Sequence, residues 1–230
     1  MTATADRTYT LPERRDIAPA PEGTVYMIPS GDLRESANIP SWPYQQELEK
    51  LVTETVEATG RTVRRAFEPD PGVGHGFIRS QRMGLEVFAT IPADAPLIVA
   101  IANWQYSHHV LAGLRDHRGP ILTVANFVPD WPGLVGLLNL NGGLTKMGRE
   151  YSSLWTVDGA DDYFRDGMRT WLETGRLEHD ASHVKALPAL SDTPETQLGR
   201  ALADQLREEK AIIGIFDEAV SYTHLRAHET

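Results

Sequence analysis

Two short runs near the middle of the chain restrict its fold more than any other feature. Leu97–Ala102 (LIVAIA) and Ile121–Ala125 (ILTVA) are apolar at almost every position. A strand with one wet face alternates apolar and polar residues. A run without alternation fits a strand covered on both faces, as in the middle of a parallel sheet packed between helices. Each run follows a proline, Pro96 or Pro120, and each is followed by a segment of helical spacing.

The flanking chain repeats that alternation. Thr24–Ile28 (TVYMI) reads as a first strand. Ser41 is a candidate N-cap with Pro43 in the first turn; Leu48, Leu51, Val52 and Val56 then recur at helical spacing, and Gly60 stops the helix. Thr62–Phe67 is a second strand and Phe77–Ile91 a second helix. Ser107–His117 is a short helix after the LIVAIA strand. Trp131–Met147 is a Leu-rich helix weakened at Gly142-Gly143. Tyr151–Trp155 is a fifth strand, and Asp161–Gly175 an amphipathic helix with Phe164, Met168, Trp171 and Leu172 on one side. Strands separated by helices of this length imply right-handed βαβ crossovers. The expected fold class is α/β: a doubly wound, mostly parallel open sheet of flavodoxin/Rossmann-like type over residues 23–175.

Outside that domain, residues 1–22 hold three prolines and read as a disordered leader. Residues 176–192 read as a polar linker. A helix over Thr193–Lys210 and a buried strand at Ala211–Phe216 (AIIGIF) read as the start of a second α/β domain, residues 193–219. The last eleven residues, Val220–Thr230, back-translate without a mismatch into a transposase adapter used to build sequencing libraries. They resemble a processing scar, so the second domain is expected to be truncated, and His224 and His228 are set aside as metal ligands despite their helical spacing.

Composition narrows the function. The net charge of −10, with no basic cluster, argues against nucleic acid or an anionic membrane as partner. The absence of cysteine excludes a disulfide framework and a Cys-ligated zinc, and fits a reducing compartment. No apolar stretch has signal-peptide or membrane-span length. A soluble, cytoplasmic protein is the expectation.

Ligands of an open parallel sheet bind where the loops gather at the carboxyl ends of the strands. Those loops are Pro29–Ser36 (PSGDLRES), Asn103–His109 (NWQYSHH), Asn126–Pro132 (NFVPDWP) and Thr156–Asp161 (TVDGAD). Their Trp, Tyr, Asn, Gln and Arg suit a polyhydroxylated ligand: an aromatic face packs on sugar C–H groups while amides and guanidinium bond the hydroxyls. The same residues also suit a subunit contact. Gly72-Val-Gly-His-Gly76 lacks the position and spacing of a dinucleotide fingerprint. His108 and His109 are adjacent and would point about 100° apart on a helix, which disfavours a shared metal. Glu178-His179-Asp180 and His183 fall in the linker, where a solvated polar face is the plainer reading. No nucleophile elbow and no paired carboxylates in a clear context are visible.

Four segments resemble the L-fucose isomerase and L-arabinose isomerase superfamily, closest to fucose-isomerase-like members: GDLRES (Gly31–Ser36), ANWQYSHH (Ala102–His109), WPGLVGLLNLNGGLTKMGREYSSLW (Trp131–Trp155) and IIGIFDEA (Ile212–Ala219). The resemblance implies an aldose–ketose isomerase that moves protons between adjacent carbons through an enediol. A divalent metal, typically Mn²⁺, holds two sugar oxygens while carboxylates act as acid and base. The metal ligands of such enzymes lie in later domains, so none is expected here; this chain is read as an N-terminal part, inactive alone. The first domain is expected to make contacts in a homo-oligomer and to lend residues to a monosaccharide pocket. By matched position those are Arg34, Trp104, Gln105 and Tyr106, with Asn126 added from the analogous strand end. The alternative is a non-enzymatic sugar-binding or regulatory α/β module, because fold alone does not decide function.

Overall fold

The computed structural model describes residues 17–104, 109–186, 189 and 191–210. Five strands form one sheet: β1 (Thr24–Pro29), β2 (Thr62–Arg65), β3 (Leu97–Ile101), β4 (Ile121–Asn126) and β5 (Ser152–Thr156). All four pairings are parallel, in the order β2-β1-β3-β4-β5. The LIVAI and ILTVAN strands occupy inner positions, and every residue in both is buried, as their unbroken apolar character requires.

The helices of this domain are α1 (Glu35–Glu57), α2 (Gln81–Phe88), α3 (Leu111–Asp116), α4 (Leu134–Lys146) and α5 (Asp162–Thr174). Alternate strand residues feed two separate cores. On one face Tyr26, Ile28, Leu97, Val99, Ile101 and Ile121 meet α2, α3 and α4 through Val87, Leu114, Leu137, Leu140 and Leu144. On the other, Val25, Met27, Ile98, Leu122, Val124 and Leu154 meet α1 and α5 through Leu48, Val52, Val56, Phe164, Met168 and Trp171. Burying each such large side chain stabilises by about 1.5–3 kcal/mol before entropy is counted. The fold is the expected doubly wound α/β sheet, with β1 and β3 flanking its topological switch point.

Several boundaries differ from the sequence reading. The first helix begins at Glu35, not after Ser41, and takes Pro40 and Pro43 inside it. Proline there leaves the carbonyls of Ser36 and Ile39 without an intrahelical donor. Both residues are exposed, so water can serve those carbonyls. Ser41 is buried and donates its hydroxyl back to Ala37 O (2.8 Å) and Asn38 O (3.1 Å) instead of capping. The second helix starts at Gln81, capped by Ser80, whose hydroxyl accepts from Met83 N at 3.1 Å. Ile78 stays out of the helix because it pairs with the end of β1, through Gly31 N to Ile78 O and Ile78 N to Pro29 O. The second strand ends at Arg65, the helix after β3 starts at Leu111, and the fifth strand runs one residue later than read. Helix α5 matches its signals: Asp161 caps Phe164 N at 2.7 Å and Gly175 closes it with φ 74°.

The chain divides into two compact units after Glu178. In the second, α6 (Pro194–Glu208) starts at a capping box made by Thr193 and Thr196. The strand read at Ala211–Phe216 and the segment Val220–Thr230 lie outside the described residues. Among the described residues no helix is long and apolar enough to cross a membrane.

Candidate functional site

The site grows from the switch point, where β1 and β3 part company. Their register runs as far as Pro29 opposite Ala100. Beyond it the end of β1 bonds Ile78 through Pro29 O and Gly31 N but makes no further pairing with β3, and the peptide edge of β3 would be left bare. Gln45, from the buried face of α1, fills the gap with its amide. Its Nε2 donates to Ala100 O (3.1 Å), and its Oε1 accepts from Ala102 N (2.9 Å). A side-chain amide thus stands in for one peptide of the missing strand. Nε2 also donates to Glu49 Oε1 (3.0 Å), and Glu49 is paired with Arg65 at 2.8 Å.

A second polar knot lies above Gln45. Asn38 Oδ1 accepts from Asp32 N (2.8 Å) and from Asn103 Nδ2 (2.9 Å), while its Nδ2 donates to Asp32 O (3.1 Å). Asn103 Oδ1 in turn accepts from Trp104 N at 2.7 Å. Asp32, Asn38 and Asn103 are all fully buried. The knot therefore ties the loop after β1 to the loop after β3 and fixes the backbone from which Trp104 projects.

Arg34 caps α1 by position only, with no side-chain capping bond. Its backbone N, Nε and a terminal nitrogen all donate to the Asp32 carboxylate, at 3.0, 2.9 and 3.1 Å. The guanidinium stays half exposed at the mouth of the crevice. Next to it Glu35 accepts from His75 Nε2 at 2.5 Å. His75 Nδ1 accepts from Phe77 N, which leaves the ring proton on Nε2. Burial raises the Glu35 pKa, but hydrogen bonds from His75 and Asn38 and the charge of Arg79 outweigh it and lower the net value. With Asp32 and Glu35 at the start of α1, this end of the helix is neutralised by acids and is a poor phosphate cradle.

Beyond the crevice three aromatic rings form a ledge. Trp104 stacks on Trp131 with centroids 5.1 Å apart and planes within 1°, and Trp131 stacks on Tyr44 at 6.4 Å and 15°. Trp104 remains 43% exposed. Asn126 holds the far side in place: its Oδ1 accepts from Gly133 N (2.7 Å) and its Nδ2 donates to Trp131 O (3.1 Å). Gly133 is required there, since a Cβ on it would sit 2.0 Å from Ile101 O. At the Tyr44 end the ledge drops into a hollow of about 260 Å³ lined by Tyr44, Glu47, Leu51, Asn126, Thr156 and Asp158. Thr156 is already engaged, donating to Asp161 and accepting from Gly159 N. Flat rings beside carboxylate acceptors favour a ligand with a C–H face and hydroxyl donors.

Of the residues expected to touch a ligand, Arg34 and Trp104 sit on neighbouring loops bound by one hydrogen-bond knot. Asn126 is at the same end of the sheet, where one Oδ1 lone pair and one Nδ2 hydrogen are spent on the backbone, so it positions Trp131. Gln105 and Tyr106 lie outside the described residues, as does His108. His109 is buried. Sequence reasoning missed Asn38 because it began α1 too late, and passed over Tyr44 and Gln45, which lie inside the helix it read. The signal was present: Ser41, Gln45 and Glu49 recur every four residues beside Leu48, Val52 and Val56. Among the described residues no group of three or more His, Cys, Asp or Glu side chains is placed to hold a metal ion. Compared with protein-family models, with curated proteins and with solved structures, the chain matches none.

Proposed function

We propose that this chain is the substrate-side, N-terminal part of a cytoplasmic, metal-dependent aldose–ketose isomerase, and that its aromatic ledge receives the sugar. The observation that carries the reading is the Trp104–Trp131–Tyr44 stack at the carboxyl end of the sheet, with Arg34 on the adjoining loop. Trp104, exposed at the end of the stack, supplies an apolar face for the sugar's C–H groups, and Arg34 supplies donors for its oxygens. The role proposed for this chain is orientation: holding a monosaccharide so that acid and base groups elsewhere in the homo-oligomer reach adjacent carbons. Mn²⁺, held by residues beyond these, would polarise the sugar oxygens.

Sequencing the transcript across Glu218 tests the isomerase reading. A frame continuing into further α/β segments that carry a Glu, an Asp and a distant His supports it. A stop soon after the second domain sinks it in favour of a sugar-binding or regulatory module. The protein encoded by the continuous frame should convert an aldose to its ketose with Mn²⁺, whereas residues 1–230 alone should give no turnover above a blank.

A further inference from the structure

The hollow at the Tyr44 end of the stack has a chemistry that the sugar reading leaves unused. One face of α1 supplies one wall, with Tyr44, Glu47 and Leu51; the loops after β4 and β5 supply the other, with Asn126, Val157 and Asp158. The chain itself fixes these walls. Thr156 Oγ1 accepts from Gly159 N at 2.8 Å and donates to Asp161 at 2.7 Å. Gly159 has φ 72°, and a Cβ on it would sit 2.3 Å from Leu51 Cδ1, so its bare Cα lets the loop lie against α1. The charges on the walls have one sign. No Lys or Arg lines the hollow among the described residues. Lys50, on the next turn of α1 after Glu47, pairs with Glu54, and Arg165 donates its Nε to Gly159 O. Asp158 spends Oδ1 on Ala160 N (2.9 Å) and keeps Oδ2. Glu47 has no hydrogen bond or ion pair among the described residues. Asn126, only 6% exposed, keeps one Oδ1 lone pair and one Nδ2 hydrogen beyond its bonds to Gly133 N and Trp131 O.

We infer that the hollow binds a small organic cation: a protonated primary amine on a short carbon skeleton. An ammonium group donates three N–H bonds, and the hollow offers unspent acceptors on Glu47, Asp158 and Asn126. Hydroxyl groups can donate to the same oxygens, but a charge-assisted bond is about twice as strong as a neutral one. A neutral ligand would also leave two like charges beside apolar walls without a counter-ion. Leu51, Val157 and Tyr44 lower the local dielectric, which strengthens the attraction over its value in open water. The same three side chains take the carbon skeleton, and the Tyr44 ring adds a surface that attracts cations. A bare metal ion would leave them unused and would find only two carboxylates. The volume of about 260 Å³ lies below the roughly 300 Å³ at which pockets for drug-sized ligands begin, so the amine is small. The site uses neither Arg34 nor Trp104, so it stands or falls separately from the sugar reading.

Titrating the ¹⁵N-labelled protein with cyclohexylammonium chloride tests the assignment, with cyclohexanol as the uncharged ligand of like shape and sodium chloride as the salt control. Cyclohexylammonium should give saturable shifts at the Asn126 side-chain amide and at the backbone amides of Asp158 and Gly159, while the Trp104 indole stays still. Glu47→Gln and Asp158→Asn keep the size of each side chain, and Asp158→Asn can still accept from Ala160 N, so both variants should melt like wild type. Each should weaken binding by about fivefold, and the double variant should lose saturation. The proposal is overturned if the amine gives no saturable shift, if cyclohexanol binds as tightly, if sodium chloride reproduces the shifts, if the double variant binds like wild type, or if the amine moves Trp104 and not the hollow.

Discussion

Replacing Gln45 with alanine removes the amide that closes the gap between β1 and β3. Two backbone groups, Ala100 O and Ala102 N, lose their partner, and both residues are fully buried. Each orphaned group costs about 1–3 kcal/mol, so the pair gives roughly 2–6 kcal/mol; water entering the vacated space brings the expectation to about 3 kcal/mol. For a domain of this size, each kcal/mol shifts the melting temperature by about 2–4 °C, so Gln45→Ala should melt roughly 6–12 °C lower. Gln45→Glu keeps an acceptor for Ala102 N but sets an oxygen against Ala100 O, beside Glu49. It should be at least as damaging at neutral pH. The exposed neighbour is the control: Gln46→Ala should stay within about 0.5 kcal/mol of wild type. Urea unfolding gives the energies, and hydrogen exchange at the Ala102 amide localises the effect. A loss below about 1 kcal/mol for Gln45→Ala, or unchanged protection at Ala102, would refute the view that a side chain substitutes for a strand here.

Two further outcomes follow from the same geometry. Gly133→Ala drives a methyl group against Ile101 O and Asn126 Oδ1; it should destabilise by about 1–3 kcal/mol in urea unfolding and disturb Trp131 fluorescence. His117, buried, with Nε2 2.8 Å from Ala95 O, has its pKa lowered, chiefly by burial. The unfolded chain then takes up a proton at a higher pH than the folded one, so stability present above the ordinary histidine range is lost as pH falls from about 6.5 toward the folded value. Melts between pH 7 and 5 should therefore fall less steeply for His117→Gln, which can still donate to Ala95 O, than for wild type; equal slopes would contradict this.

The sheet was legible because its signals are cumulative and local. LIVAIA and ILTVA admit only inner strands, and Phe164, Met168, Trp171 and Leu172 define one helix face without tertiary help. The start of α1 was misread because Ser41 followed by Pro43 imitates an N-terminus. Tertiary contacts decided otherwise: Asn38 and Ser41 are buried and bonded, and the residues whose carbonyls the prolines strand, Ser36 and Ile39, are exposed. Phe77 and Ile78 carry helical spacing, yet the backbone pairing of Ile78 with a distant strand keeps them out of the helix. For the site, residue types in the loops pointed to Trp104 and Arg34, which sit on loops joined by the Asp32–Asn38–Asn103 hydrogen bonds. Asn126 lines the hollow, and one Oδ1 lone pair and one Nδ2 hydrogen are already bonded to Gly133 N and Trp131 O, something only coordinates reveal. The four-residue spacing of Ser41, Gln45 and Glu49 placed Gln45 on the inner face of α1, but nothing in a linear pattern says that β1 and β3 part there and leave its amide two backbone partners.

The claim that matters most is that the ledge binds a sugar. Titrating the ¹⁵N-labelled protein with pentoses and 6-deoxyhexoses, in aldose and ketose forms, reads it directly from the five tryptophan indole signals, assigned through single Trp→Phe variants. The account predicts saturable shifts at Trp104 and Trp131 with at least one sugar, while Trp155 and Trp171 stay still. It is contradicted if no sugar moves Trp104, or if all the indoles move alike.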